Sequence, residues 1–171
     1  MHGVDISADG AYIVAGNNAN VVYLFDRDSS TPLWNYTAGD EVWTVSVSSD
    51  GQYITAGSDD DKVYVFYNEI EEESELPWSY KTDDWVPSIA VSADGEYIAV
   101  GTNSYTVHLF DKDSSTPLWS YTAEGTCSGT CSVYSVAISA DGEYIVAGVY
   151  DDNVYLFHKD SSTPIWNYTT G

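Results

Sequence analysis

The string Ser-x-Asp-Gly-x-Tyr-Ile occurs at Ser7, Ser48, Ser92 and Ser139, and it limits the fold more than any other feature of the chain. Its aspartates, Asp9, Asp50, Asp94 and Asp141, are 41, 44 and 47 residues apart. A glycine follows seven residues after each, at Gly16, Gly57, Gly101 and Gly148. Asp-Ser-Ser-Thr-Pro recurs at 28–32, 113–117 and 160–164, and a Trp-x-Tyr closes every copy, at Trp34, Trp78, Trp119 and Trp166. A period of this length marks one supersecondary unit repeated along the chain, in which each unit buries its apolar surface against the next.

Each copy reads as four short strands separated by turns. The first is short, as in Val45 to Ser48, and the Asp-Gly after it favours a tight hairpin, since both residues tolerate positive φ. The second is Tyr-Ile-x-x-Gly, and a polar loop leads to the third, Val22 to Phe25 and its equivalents. A loop ending in Pro leads to the fourth, Leu33 to Thr37 and its equivalents. No helical periodicity of useful length is present, and Glu69 to Glu75 reads as a solvated insertion. In the third strand Val22 and Leu24 share one face, Tyr23 and Phe25 the other. Both faces are apolar, so each sheet must be flanked on both sides. The first strands carry small residues, such as Ser46, Ala90 and Ala137, and the last carry the bulky Trp-x-Tyr. Small inside and large outside is the requirement of radial packing. The expected fold is an all-β propeller of four-stranded antiparallel blades, one domain over 1–171, with blades at about 1–39, 40–82, 83–124 and 125–171.

The segment from Val45 to Phe66 (VSVSSDGQYITAGSDDDKVYVF) resembles a WD40 repeat, with Phe66 in the place of that family's Trp. The segment from Val22 to Gly39 (VYLFDRDSSTPLWNYTAG) is similar to the quinoprotein, PQQ-like propeller repeat. The likeness covers essentially the whole chain and implies a propeller without fixing a function. No Gly-His opens a later repeat, so the WD40 hydrogen-bond network is not expected. Quinoprotein dehydrogenases use an adjacent Cys pair and a calcium set. The cysteines here, Cys127 and Cys131, are not adjacent, so cofactor binding is not carried over, and the expected cofactor is none.

The chain has 27 Asp and Glu against 5 Lys and Arg, a formal charge of −22. That field repels nucleic acid and anionic membranes and suits cations, basic partners or a salty medium. With 15 Tyr and 6 Trp, it is not an acidic disordered tail. No apolar run of 18 residues exists to span a bilayer, and Met1 to Val4 is no signal peptide. Met1 fits either a fragment's added initiator or a complete chain.

Cys127 and Cys131 fit a small disulfide loop if their Cα atoms come within about 7 Å, with free thiols or a poor metal site as the other readings. A disulfide implies an oxidising compartment. Asn35 and Asn167 open N-x-Thr sequons and point away from the Trp and Tyr beside them, as a glycosylation site or as a position that merely alternates with Ser79 and Ser120. The Asp59–Asp61 loop and its equivalent at 151–153 are solvated turns, with Ca²⁺ as the weaker alternative. His2, His108 and His158 are dispersed; His108 takes the place of a third-strand Tyr and is expected to pack as an aromatic. No nucleophilic triad emerges. Trp43, Trp85 and Tyr134 lie near the connections between blades, where aromatics form recognition surfaces or pack between blades.

These features predict a non-catalytic binding or scaffold propeller, extracellular or on a cell surface, whose partner is another protein or a second copy. A piece of a propeller dehydrogenase or lyase, with its site at the channel mouth, is the enzymatic alternative. A self-assembling structural element is the third. Four blades can close steeply on themselves, join a second chain into an eight-bladed ring, or form part of a larger ring. Each of these covers the apolar blade faces that an open arc leaves bare, and the last two are favoured on blade count, because a ring of four needs steep angles between blades.

Overall fold

The computed structural model describes residues 1–68, 75–123, 132–150 and 152–170, with only the backbone of 75–77. These residues form four antiparallel sheets of four strands, each sheet in chain order. The first holds β1 (Gly3–Ile6), β2 (Tyr12–Gly16), β3 (Val21–Asp26) and β4 (Pro32–Thr37). The second holds β5 (Val42–Val47), β6 (Tyr53–Ser58), β7 (Lys62–Tyr67) and β8 (Glu75–Lys81). The third holds β9 (Ser88–Val91), β10 (Tyr97–Gly101), β11 (Thr106–Asp111) and β12 (Trp119–Thr122). The fourth holds β13 (Val133–Ile138), β14 (Tyr144–Val149), β15 (Asn153–His158) and β16 (Trp166–Thr169). No helix occurs among the described residues. This is a β-propeller, and β1, β5, β9 and β13 lie side by side along its axis.

The repeated motif builds the turn between the first two strands of every sheet. In the first, Ser7 Oγ donates to Asp9 Oδ1 (2.7 Å), which also accepts from the Ala11 N–H (2.9 Å), while Ser7 Oγ accepts from the Tyr12 N–H (3.0 Å). Ser48 with Asp50, Ser92 with Asp94 and Ser139 with Asp141 repeat the arrangement. The hydroxyl and carboxylate thus satisfy backbone donors that the turn would leave open. Of the Asp-Gly pair only the glycine takes positive φ, for example +73° at Gly51. The aspartate acts through its side chain instead.

The core lies between sheets, and each joint has its own apolar cluster. The first cluster joins Val14, Val22 and Leu24 of the first sheet to Val45, Val47, Ile54, Tyr64 and Phe66 of the second. A second joins Val63 and Val65 to Ile89, Ile98 and Phe110. The third joins Val107 and Leu109 to Val136, Ile145, Tyr155 and Phe157. Every interior sheet therefore contributes one face to each of two clusters, as its two-sided apolar alternation requires. Close approach at the three joints is allowed by Gly16, Gly57 and Gly101 near the ends of the second strands: a Cβ on Gly57 would lie 2.5 Å from Val86 Cγ1.

The first and fourth sheets share none of these clusters, so the propeller is an open arc. On the outward face of the first sheet, Val4 is 66% and Ile6 56% exposed, whereas their equivalents Val45 and Val47 are buried. On the outward face of the fourth, Trp166 is 47% and Tyr168 67% exposed.

Candidate functional site

The aromatic residues near the axis converge at one end of the arc. His2 directly precedes Gly3, which pairs with Gly16. Trp43 directly precedes Thr44, which pairs with Gly57, and Tyr134 directly precedes Ser135, which pairs with Gly148. At Trp43 and Tyr134 the register shifts, so each is the extra residue of a bulge that turns its side chain out of the ladder. Trp85 lies on the β8–β9 connection, close to the corresponding point of the third sheet.

Three of these rings form a continuous row. His2 stacks on Trp43 with ring centroids 4.3 Å apart, and Trp43 meets Trp85 at 5.4 Å. Tyr134 is not part of the row described by these contacts; it meets Tyr150 at 5.8 Å. Carboxylates border the row. Glu41 Oε2 lies 3.4 Å from His2 Nε2. Asp84 accepts from the Trp85 N–H (2.9 Å) and from Asn103 Nδ2 (3.2 Å). The Trp43 indole N–H is buried without a partner among the described residues. Half-buried aromatic faces beside carboxylates attract cationic groups. His2 was not singled out by sequence reading, because only the strand register shows that it occupies the position of Trp43.

The other candidates have separate settings. Asn35 and Asn167 are both exposed on outermost strands, opposite Tyr23 and Tyr155 respectively, and the equivalent Ser79 and Ser120 are exposed as well. Cys127 and Cys131 lie outside the described residues, as does Asp151. In the Asp59–Asp61 loop, Asp60 accepts hydrogen bonds from the Tyr64 hydroxyl and the Gly39 N–H, and it lies 3.5 Å from Lys62 Nζ. Burial, reinforced by the Asp60 hydrogen bond, raises the Tyr64 pKa. His108 is buried, its Nδ1 2.7 Å from Ser120 Oγ, and its ring meets Tyr80 and Phe110. Burial pulls its pKa down to about 4, with Asp83 acting in the opposite direction. His158 stands beside Glu143 (3.2 Å) and Asp160 (3.5 Å) at a strand end. Among the described residues no group of three or more His, Cys, Asp or Glu is placed to hold a metal ion. No helix among them is long and apolar enough to cross a membrane.

An arc of four-stranded antiparallel sheets about a common axis, with an aromatic row at one end, is a repeat β-propeller. The PQQ_2 family model, described as outer membrane protein assembly factor BamB, matches residues 18–171, and the chain belongs to that family. Among solved structures it is similar to a chain of "Crystal Structure of Mitotic Checkpoint Complex", with TM-score 0.82 and 18% identity over 97% of this chain and 52% of that one. It is also similar to a chain of "Kuenenia stuttgartiensis Hydrazine Synthase", with TM-score 0.76 and 20% identity over 96% of this chain and 47% of that one. At these identities the likeness is one of fold, and the chain spans about half the length of each. No curated protein matches it.

Proposed function

We propose that this chain is a non-catalytic scaffold propeller, outside the cell or on its surface, that presents an acid-flanked aromatic row to a basic segment of a protein partner and also associates with a second copy. The row of His2, Trp43 and Trp85 carries the reading, because it places rings from successive sheets at one end of the axis. Flat aromatic side chains supply contact area at low entropic cost. Glu41, Asp84 and the overall charge of −22 favour a Lys- or Arg-bearing segment over an anionic one. The family's description as an outer-membrane protein assembly factor supports a place in or beyond the cell envelope. The titratable groups described above serve turns, joints and the rim, which supports a binding role over a chemical one.

The test is titration of a Lys/Arg-rich peptide against the chain, followed by tryptophan fluorescence. Trp43→Ala is expected to weaken binding about 10-fold and His2→Ala about 3-fold, with a Glu-rich control peptide inert. Equal affinity of the two peptides, or unchanged affinity in both variants, would remove the rim from the function.

A further inference from the structure

The three joints inside the chain share a template, and the two free ends carry its separate halves. At each joint the Trp-x-Tyr of one sheet packs on the third strand of the next. Trp34 meets Phe66, Trp78 meets Phe110 and Trp119 meets Phe157, each at 5.3 Å between ring centroids. At the last two joints the indole N–H also donates to a main-chain carbonyl: Trp78 to Lys112 O (2.6 Å) and Trp119 to Lys159 O (2.7 Å). Those same lysines extend over a tyrosine of the preceding sheet, Lys112 Nζ 5.5 Å from the Tyr53 ring and Lys159 Nζ 5.1 Å from Tyr97. The turns are linked as well, Ala8 N–H to Ser49 O, Ser49 N–H to Ala93 O and Ala93 N–H to Ala140 O, at 3.1 to 3.2 Å.

In the repeat frame, the residue corresponding to Lys112 and Lys159 is Arg27 in the first sheet and Asn68 in the second. The second sheet, which faces a tyrosine (Tyr12) at the first joint, therefore lacks the cation. The first sheet, with no sheet before it, has one. Three of the chain's five basic residues occupy this position, in a molecule with 27 acidic ones. Arg27 is largely exposed, with Asp28 Oδ1 3.8 Å away. On the fourth sheet, Tyr144, the equivalent of Tyr53 and Tyr97, is exposed along with Trp166 and Tyr168.

We propose that the outward face of the fourth sheet seats the outward face of the first sheet of a second copy, and that two such joints close a two-chain ring of eight sheets. This rests on the self-association part of the functional reading and specifies its geometry. Trp166 and Tyr168 cover Phe25 and Tyr23 of the other copy, and the Trp166 indole N–H donates to its Arg27 carbonyl. The Arg27 guanidinium lies over the Tyr144 ring, and the Ala140 N–H donates to the Ala8 carbonyl. Val4 and Ile6 become buried as Val45 and Val47 are. Each chain uses the same two faces, so the contact is head-to-tail and closes with two-fold symmetry.

The experiment is sedimentation equilibrium of the chain at moderate salt, with Trp166→Ala and Arg27→Ala beside it. A mass of two chains is expected, with the dissociation constant raised about 30-fold by Trp166→Ala and about 5-fold by Arg27→Ala. Both side chains are exposed in the single chain, so circular dichroism of the variants is expected to be unchanged. A single-chain mass at high concentration overturns self-association and the joint together. Two-chain assembly insensitive to both variants overturns this joint while leaving self-association standing. A continuous series of larger masses overturns closure at two chains.

Discussion

His108 shows how one substitution inside a repeat acquires a pH dependence. Its equivalents are Tyr23, Tyr64 and Tyr155, so the position is made for an aromatic ring, and the imidazole is held there as a neutral one. Burial lowers its pKa from 6.5 to about 4. Between those values the unfolded chain binds the proton and the folded chain does not. The stabilising contribution is therefore complete above pH 6.5 and is lost as pH falls toward 4. That shift corresponds to roughly 3 kcal/mol at most, by the conversion of 1.36 kcal/mol per unit. His108→Tyr restores the repeat's own residue, and urea denaturation between pH 7 and 4 is expected to show a shallower loss of stability in the variant than in the parent. Parallel curves would mean that the proton is taken up elsewhere. Asp9 and Asp141 contribute in the same direction at lower pH. Backbone and serine hydrogen bonds hold both below the usual carboxylate range.

Among elements, the Asp-Gly turn separates what one sheet needs from what a joint needs. Gly10 and Gly51 have the same left-handed backbone, with φ +70° and +73°. A Cβ on Gly51 would run into the ring of Tyr12 from the preceding sheet, whereas one on Gly10 has only Ile6 Cδ1 near it, at 3.9 Å. Gly10→Ala is therefore expected to cost about 1 kcal/mol for the backbone alone. Gly51→Ala is expected to cost a further 1–3 kcal/mol for overpacking the joint. Thermal or urea unfolding of the dilute single chain checks the difference, and equal losses would show that Tyr12 moves aside freely. The strands and their faces were legible in the sequence, because a period of two is a local property of the pleat. The bulges at Trp43 and Tyr134 were not, since an extra residue shows only against its partner strand. For the same reason Trp43 and Trp85 could be singled out separately, but their meeting, and the place of His2 beside them, could not. The basic residue two positions after the third-strand Phe, at Arg27, Lys112 and Lys159, was not singled out by sequence reading. Its purpose became readable only once the tyrosine across the joint was in view.

At the scale of the molecule, the apolar clusters among the described residues join neighbouring sheets, and stability is a sum over joints set against the repulsion of a charge of −22. The ion pairs among the described residues each have at least one exposed partner, so added salt removes little attraction while it screens the general repulsion. Raising NaCl from 50 mM to 1 M is expected to lift the midpoint of thermal unfolding by on the order of 5 °C. A midpoint that falls with salt would mean that local ion pairs outweigh the overall field.

The amino-acid sequence alone determined the repeated unit, its four strands and turns, and the need for each sheet to be flanked on both faces, because these follow from side-chain alternation and turn chemistry within some forty residues. Only the tertiary structure decided that four such sheets form an open arc, and that its ends expose matching halves of one joint. The angle between sheets is set by how the side chains of two neighbours fill the wedge between them, and that volume belongs to the pair and to neither sheet's sequence by itself.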